Sequence, residues 1–216
     1  MPTTCPGCAR RGPAPCRACV ALMRCSTPVP VPAGLTACRA LLAYEGPARE
    51  LVARLKYRNA RSSLDWLAEG MASLVHEHDA AAAITWAPTT AVRSRARGFD
   101  QAEVLARRLA ARLGLPCPKL LRRLPGPPQT GRSHVERRIG PCFEVRISPL
   151  RRVRPGAVLL VDDVVTTGAT MSAAANALRA AGAGPVVGLA AAHPAPPSST
   201  IRGPSPDEEV PAWMSR

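Results

Sequence analysis

The segment Val158 to Thr170, VLLVDDVVTTGAT, gathers residues able to do chemistry at the end of an apolar run. Asp162 and Asp163 follow that run, and a turn of small and hydroxyl residues follows them. Backbone N–H groups of residues 166–170 can converge there on a phosphate, aided by the positive end of a following helix. Gly168 permits close approach of the backbone, while Thr166, Thr167 and Thr170 add hydroxyl donors. Carboxylates accept hydroxyl protons well, so Asp162 and Asp163 suit a sugar diol beside the phosphate. The carboxyl end of a strand is also where open α/β sheets bind ligands. Two rival readings fail. A receiver-type phosphoacceptor site needs another Asp at a later strand end, and the only Asp after Asp163 is Asp207, in a Pro-rich tail. A P-loop needs Gly-Lys-Ser/Thr, and no such triplet follows the glycine.

A second constellation opens the chain: Cys5 and Cys8, then Cys16 and Cys19, two pairs with two-residue spacing separated by seven residues. Two such knuckles supply the four thiolates of tetrahedral zinc, and the intervening ARRGPAP is rich in turn formers. So short a segment has almost no core of its own, and the metal would supply its folding energy. Disulfides require an oxidising compartment, and redox CxxC chemistry does not call for a paired second motif. Isolated Cys25, Cys38, Cys117 and Cys142 read as small hydrophobes, the last two as buried ones.

These residues need elements to position them. Residues 1–25 form the cysteine module and residues 26–34, STPVPVPAG, a Pro-rich connector to a domain over 35–192. Pro47 opens a helix whose Leu51, Val52 and Leu55 share a face. Leu64, Leu67, Met71, Leu74 and Val75 mark a second helix, closed by His76 and His78 as polar helix-end residues rather than ligands. AAITWAP, ending at Pro88, is a strand, and TTAVRSRARGF, ending at Phe99, is a basic loop. Asp100 caps the next helix at capping-box spacing from Glu103; Val104, Leu105, Leu109 and Leu113 give its apolar face and Gly114 its end. Residues 116–142 read as a mobile excursion, Phe143 to Ile147 and Val158 to Val161 as strands, Thr170 to Ala181 as a helix, and 185–192 as a buried strand. Strands alternating with helices predict a parallel α/β sheet. The tail, 193–216, is Pro/Ser-rich and expected to be disordered.

Composition sets the outer bounds. The 216 residues are 46% apolar, enough for a core, with no apolar run long enough to span a membrane. No secretory h-region is visible at the start, which makes a cytoplasmic location the expectation. Net charge is +14, and +12 of it falls between Arg93 and Arg154. That excess favours phosphorylated or polyanionic partners, whereas 3% aromatic residues are few for stacking single-stranded bases.

With the four-Cys start, YEGPARELVARLKYRNA and ARGFDQAEVLARRLAARLG, the segment VLLVDDVVTTGAT resembles the phosphoribosyl-pyrophosphate (PRPP) motif of type I phosphoribosyltransferases. Residues 5–192 together resemble the ComF family, linked to competence and DNA uptake. The resemblance implies a type I phosphoribosyltransferase-like parallel sheet with a small N-terminal zinc-binding module. Thr166, Thr167, Gly168, Ala169 and Thr170 would hold the 5′-phosphate, and Asp162 and Asp163 the ribose hydroxyls. Arg97, Gly98 and Phe99 would face pyrophosphate, with Arg93 and Arg95 as weaker candidates. A hood at about residues 125–140 would contribute Gln129, Arg137 and Arg138. Lys56 also matches the family. Asp162, Asp163 and Arg97 are then the catalytic residues, Mg²⁺ accompanies PRPP, and Cys5, Cys8, Cys16 and Cys19 hold structural zinc. The chain departs from the pattern at Thr90, Asp100 and Gly140. At Thr166 many relatives carry a carboxylate, and Thr cannot replace it as a general base near neutral pH. The implied activity is transfer of phosphoribose to an unnamed acceptor, in DNA uptake or nucleotide salvage. The alternative is a non-catalytic single-stranded-DNA-binding competence factor, with DNA-uptake proteins as partners and no membrane insertion.

Overall fold

The computed structural model describes residues 4–55, 61–125 and 141–194. A short helix α1 (Arg17–Val20) closes the cysteine segment. Strand β1 (Ala37–Ala43) leads into α2 (Gly46–Arg54) and α3 (Arg61–Ala72), and a 3-10 turn, Glu77–Asp79, precedes β2 (Ala81–Trp86). Next come α4 (Ala91–Arg97), α5 (Gln101–Leu113), and strands β3 (Leu121–Arg123) and β4 (Phe143–Val145). Helix α6 (Ile147–Leu150), strand β5 (Ala157–Val164), helix α7 (Ala169–Ala180) and strand β6 (Val186–His193) complete the order.

The main sheet runs β1-β6-β5-β2, all parallel. Residues 157–161 of β5 are buried on both faces, as a continuous apolar run in a parallel sheet should be. Leu159 and Val161 face one core with Leu51 and Val52 of α2, Leu67 of α3 and Leu105 and Leu109 of α5. Val158 and Leu160 face the other, against Met171, Ala174 and Leu178 of α7. Three layers result, with β2 and β5 adjacent and Trp86 level with Val161. That register brings the segments leaving these two strands to the same edge of the sheet.

Several local expectations change. TTAVRSRARGF is not a loop: Thr90 accepts the Arg93 N–H, Gly98 stops the helix in the left-handed region, and α4 forms between them. The segment over 116–142 begins with β3, which pairs antiparallel with β4, so its ends are anchored. The strand expected to reach Ile147 stops at Val145, and Ile147 starts α6. Helix α3 ends at Ala72, ahead of Leu74 and Val75. Asp79 takes two hydrogen bonds from the Arg39 guanidinium, at 2.8 and 3.0 Å, and one from the His76 N–H. Glu103 turns to Arg107 rather than completing a capping box. Cys142 is exposed and Cys117 only half-buried, whereas Cys38 is buried.

Residues 24–35 lie against the domain. Ser26 N–H donates to Leu41 O and Ala43 N–H to Arg24 O, which covers the outer edge of β1. Val29 is buried with the α7-side core. The basic excess is partly neutralised within the fold: Arg107, Arg108, Arg112 and Arg122 pair with Glu103, Asp65, Glu69 and Glu144. Among the described residues no helix is long and apolar enough to cross a membrane.

Candidate active site

The turn after β5 is shaped by Gly168, whose φ of 74° lies in the left-handed region that glycine enters without steric penalty. Gly168 is the N-cap of α7 and has no side chain to cap it; among the N–H groups there only that of Ala169 meets a side chain, the Thr167 hydroxyl at 3.4 Å. The first N–H groups of an α-helix have no partner within it, so an uncapped start offers them to a ligand, most favourably an anion. Thr166, Thr167 and Ala169 are exposed, Thr170 is half-buried, and Gly168 is covered from behind. That cover is Pro32: a Cβ on Gly168 would come within 2.5 Å of its ring. From the other side, Val165 N–H donates to Ala192 O, and a His193 ring nitrogen lies 2.8 Å from Val165 O.

Asp162 and Asp163 are both half-buried at the end of β5. Asp162 accepts the Asp163 N–H and Asp163 the Val164 N–H, each at 2.9 Å. Burial, and then the adjacent Asp163 charge, push the Asp162 carboxyl well above the ordinary carboxylate range. An arriving cation or pair of hydroxyl donors would relieve that strain by favouring the ionised form.

Across the shared edge, buried Asp100 organises the segment after β2. Its carboxylate accepts Thr89 N–H at 2.8 Å and the Ala102 and Glu103 N–H groups at 3.1 and 3.4 Å. One side chain therefore both caps α5 and ties down the residues entering α4. Burial raises its carboxyl, only partly offset by these donors. Replacing Asp100 with Ala should lower unfolding free energy by about 1–3 kcal/mol, a lost N-cap plus an orphaned Thr89 N–H. An unchanged urea midpoint would show that Asp100 does not hold this segment.

Arg123, on β3, completes the surroundings. Its guanidinium lies 5.8 Å from the Phe143 ring centre, and its acidity responds to burial, then to Arg93, Asp162 and Asp100. The hairpin thus brings a cation toward the acid pair. Arg97 lies one turn before the start of α5 and donates to Gln101 at 2.6 Å; Gly98 ends α4, and Phe99 is half-buried. Arg93 and Arg95 are exposed on α4. Lys56, Gln129, Arg137 and Arg138 lie outside the described residues. Sequence reasoning did not single out Arg123 or Pro32. Nothing local distinguishes one arginine of a basic stretch or one proline of a Pro-rich segment.

The four N-terminal cysteines converge. Their sulfurs all lie within 4.8 Å of one another, and Cys8 Sγ is 3.6 Å from Cys16 Sγ. Thiolates about 2.3 Å from a tetrahedral zinc would be about 3.8 Å apart, so the set fits that ion. No disulfide joins these four. Burial opposes ionisation of Cys5, but N–H donors of Cys16, Cys8 and Gly7 outweigh it and lower its thiol to about 6. Burial, then the neighbouring thiols Cys8, Cys16 and Cys5, push Cys19 far up. Among the described residues this is the one cluster with metal-binding geometry. Cys5, Cys19 and Met23 share a core with Leu42 and Leu51, so the module is built onto the sheet domain.

No sequence among the curated proteins matches the chain. Among solved structures it is similar to one titled "Structure of the allosteric regulatory enzyme of purine biosynthesis", at 17% identity and a TM-score of 0.43. That similarity covers 65% of this chain but 30% of the other, so the chain spans under a third of its length. The family described as phosphoribosyl transferase domain matches residues 99–211, just over half of the chain. That stretch contains the acid pair, the uncapped turn and the hairpin, and the chain belongs to the phosphoribosyl transferase domain family.

Proposed function

We propose that the chain binds PRPP with Mg²⁺ and transfers its phosphoribosyl group to an acceptor. The observation that carries this reading is the uncapped N-terminus of α7, opening from the Gly168 turn directly beyond Asp162 and Asp163. Residues 166–170 then hold the 5′-phosphate, and the two carboxylates accept the ribose hydroxyls. As the bond from C1 to pyrophosphate breaks, its electron pair leaves with pyrophosphate and positive charge develops on the sugar. Arg97, with Arg93 one turn earlier on α4, stabilises the leaving charge. Mg²⁺ carried on the pyrophosphate would neutralise further charge there.

The four-Cys start and the YEGPARELVARLKYRNA segment support assigning the chain to the ComF branch, with zinc on Cys5, Cys8, Cys16 and Cys19. A role beside DNA uptake follows from that assignment. Calorimetric titration of PRPP with Mg²⁺ into the wild type and the Asp162→Asn/Asp163→Asn variant tests the reading. Saturable binding that the variant loses supports it.

A further inference from the structure

Helix α4 carries Arg93, Arg95 and Arg97, yet none of its residues is buried and Val92 is 71% exposed. Short helices draw their stability from packing, so a helix without a buried face needs fixing from outside. Two adjacent side chains at the start of α5 supply that fixation, one at each end of α4. Asp100 accepts the Thr89 N–H just ahead of α4. Gln101 Oε1 accepts a hydrogen bond from Arg97 Nη1, in the last turn of α4, at 2.6 Å. Both acceptors belong to buried residues, and α5 is packed into the core through Leu105 and Leu109. Asp100 thus ties the entry to α4, and Gln101 ties its exit through a half-buried arginine.

The fold itself gains little from an amide at 101. Gln101 is 5% exposed, and among the described residues its Nε2 has no hydrogen-bond partner. Buried amide N–H groups are nearly always satisfied, and an apolar side chain of similar volume would avoid that desolvation cost. What the amide does supply is a bond to a charged group, stronger than a neutral one and directional. It occupies one N–H of a guanidinium that has several, and leaves the others for an anion. We propose that Gln101 is a positioning residue that acts through Arg97, fixing the guanidinium and the end of α4 for the pyrophosphate part of PRPP. The inference rests on the PRPP reading for the identity of that anion. Gln101 touches no substrate atom; its effect passes through Arg97.

Inorganic pyrophosphate with Mg²⁺ and, separately, ribose 5-phosphate, titrated calorimetrically into the full chain, test the proposal. Gln101→Met should weaken pyrophosphate at least about tenfold. It should leave ribose 5-phosphate within about twofold, because the acid pair and the Gly168 turn lie on other elements. Its urea midpoint should not fall, since the substitution removes an unpartnered buried N–H. In an Arg97→Ala background the same substitution should change pyrophosphate affinity by less than about twofold, the non-additivity of one residue acting through another. Should the Met variant fail to fold, Gln101→Asn, whose amide falls one methylene short of Arg97, carries the same expectations for both ligands. Pyrophosphate bound equally by wild type and variant overturns the proposal. So does a loss that persists undiminished in the Arg97→Ala background, or one that extends equally to ribose 5-phosphate. A wild type that binds neither ligand nor PRPP defeats the PRPP reading and the proposal together, whereas PRPP binding with variants indifferent at 101 defeats the proposal alone.

Discussion

Serine in place of Cys5 or Cys19 is expected to release about one zinc ion per chain and to destabilise the sheet domain as well as the first 25 residues. A module on a flexible tether would unfold alone. Here Cys5 and Cys19 are buried in the same core as Met23, Leu42, Leu51 and Val52. Gly7 is wedged between Cys19 and Pro47 at the start of α2: a Cβ there would lie 2.8 Å from Cys19 Sγ and 3.3 Å from Pro47 Cβ. The four-Cys module therefore packs against the first turn of α2. Free zinc at a thousand times its Kd contributes about 4 kcal/mol to the state that binds it, and loss of a ligand forfeits most of that. Metal analysis and melting of both variants, with and without chelator, provide the check. Undiminished zinc in both would end the assignment; zinc loss with an unchanged melt would mean the module is an appendage.

Alanine at Gly168 should be nearly as damaging, for a reason that lies in two distant segments. A non-glycine residue in the left-handed region costs about 1–2 kcal/mol, and overpacking adds about 1–3. The new methyl meets the Pro32 ring at 2.5 Å, and a proline ring cannot swing aside. The turn would have to move, so phosphate affinity should fall along with stability. Pro32→Gly in the same chain should restore part of the loss, since it removes the collision but not the backbone strain. A double-mutant cycle by urea unfolding separates the two. If the two substitutions are simply additive, Pro32 does not support the turn.

Elements whose causes are local were legible. Asp100 and Gly114 punctuate α5, Pro47 opens α2, and the unbroken apolar run marks β5 as central. Strand β1 was not read from ACRALLA because Arg39 interrupts its apolar residues, and the Asp79 that accepts the guanidinium lies forty residues away. Helix α4 is seven residues long and Arg-rich, yet its two stops, Thr90 and Gly98, stand in plain view. The acid pair and the glycine turn were found from their spacing. Arg123 was not, because its place beside Phe143 is set only by the antiparallel pairing of β3 with β4.

The acid pair carries the central claim, and its burial adds a pH dependence of stability. A carboxyl raised in the folded state binds a proton that the unfolded chain has already released. Between the ordinary carboxylate value and the raised one, stability therefore falls as pH rises. Asn at 162 and 163 should remove that slope and leave the chain at least as stable near neutral pH. The decisive measurement is calorimetric titration of PRPP with Mg²⁺ into wild type and the Asp162→Asn/Asp163→Asn variant, with urea unfolding of both. Saturable binding to the wild type, lost at least about a hundredfold in a variant that stays folded, is the predicted result. A folded wild type that binds no PRPP, or a variant that binds it equally well, would contradict the account.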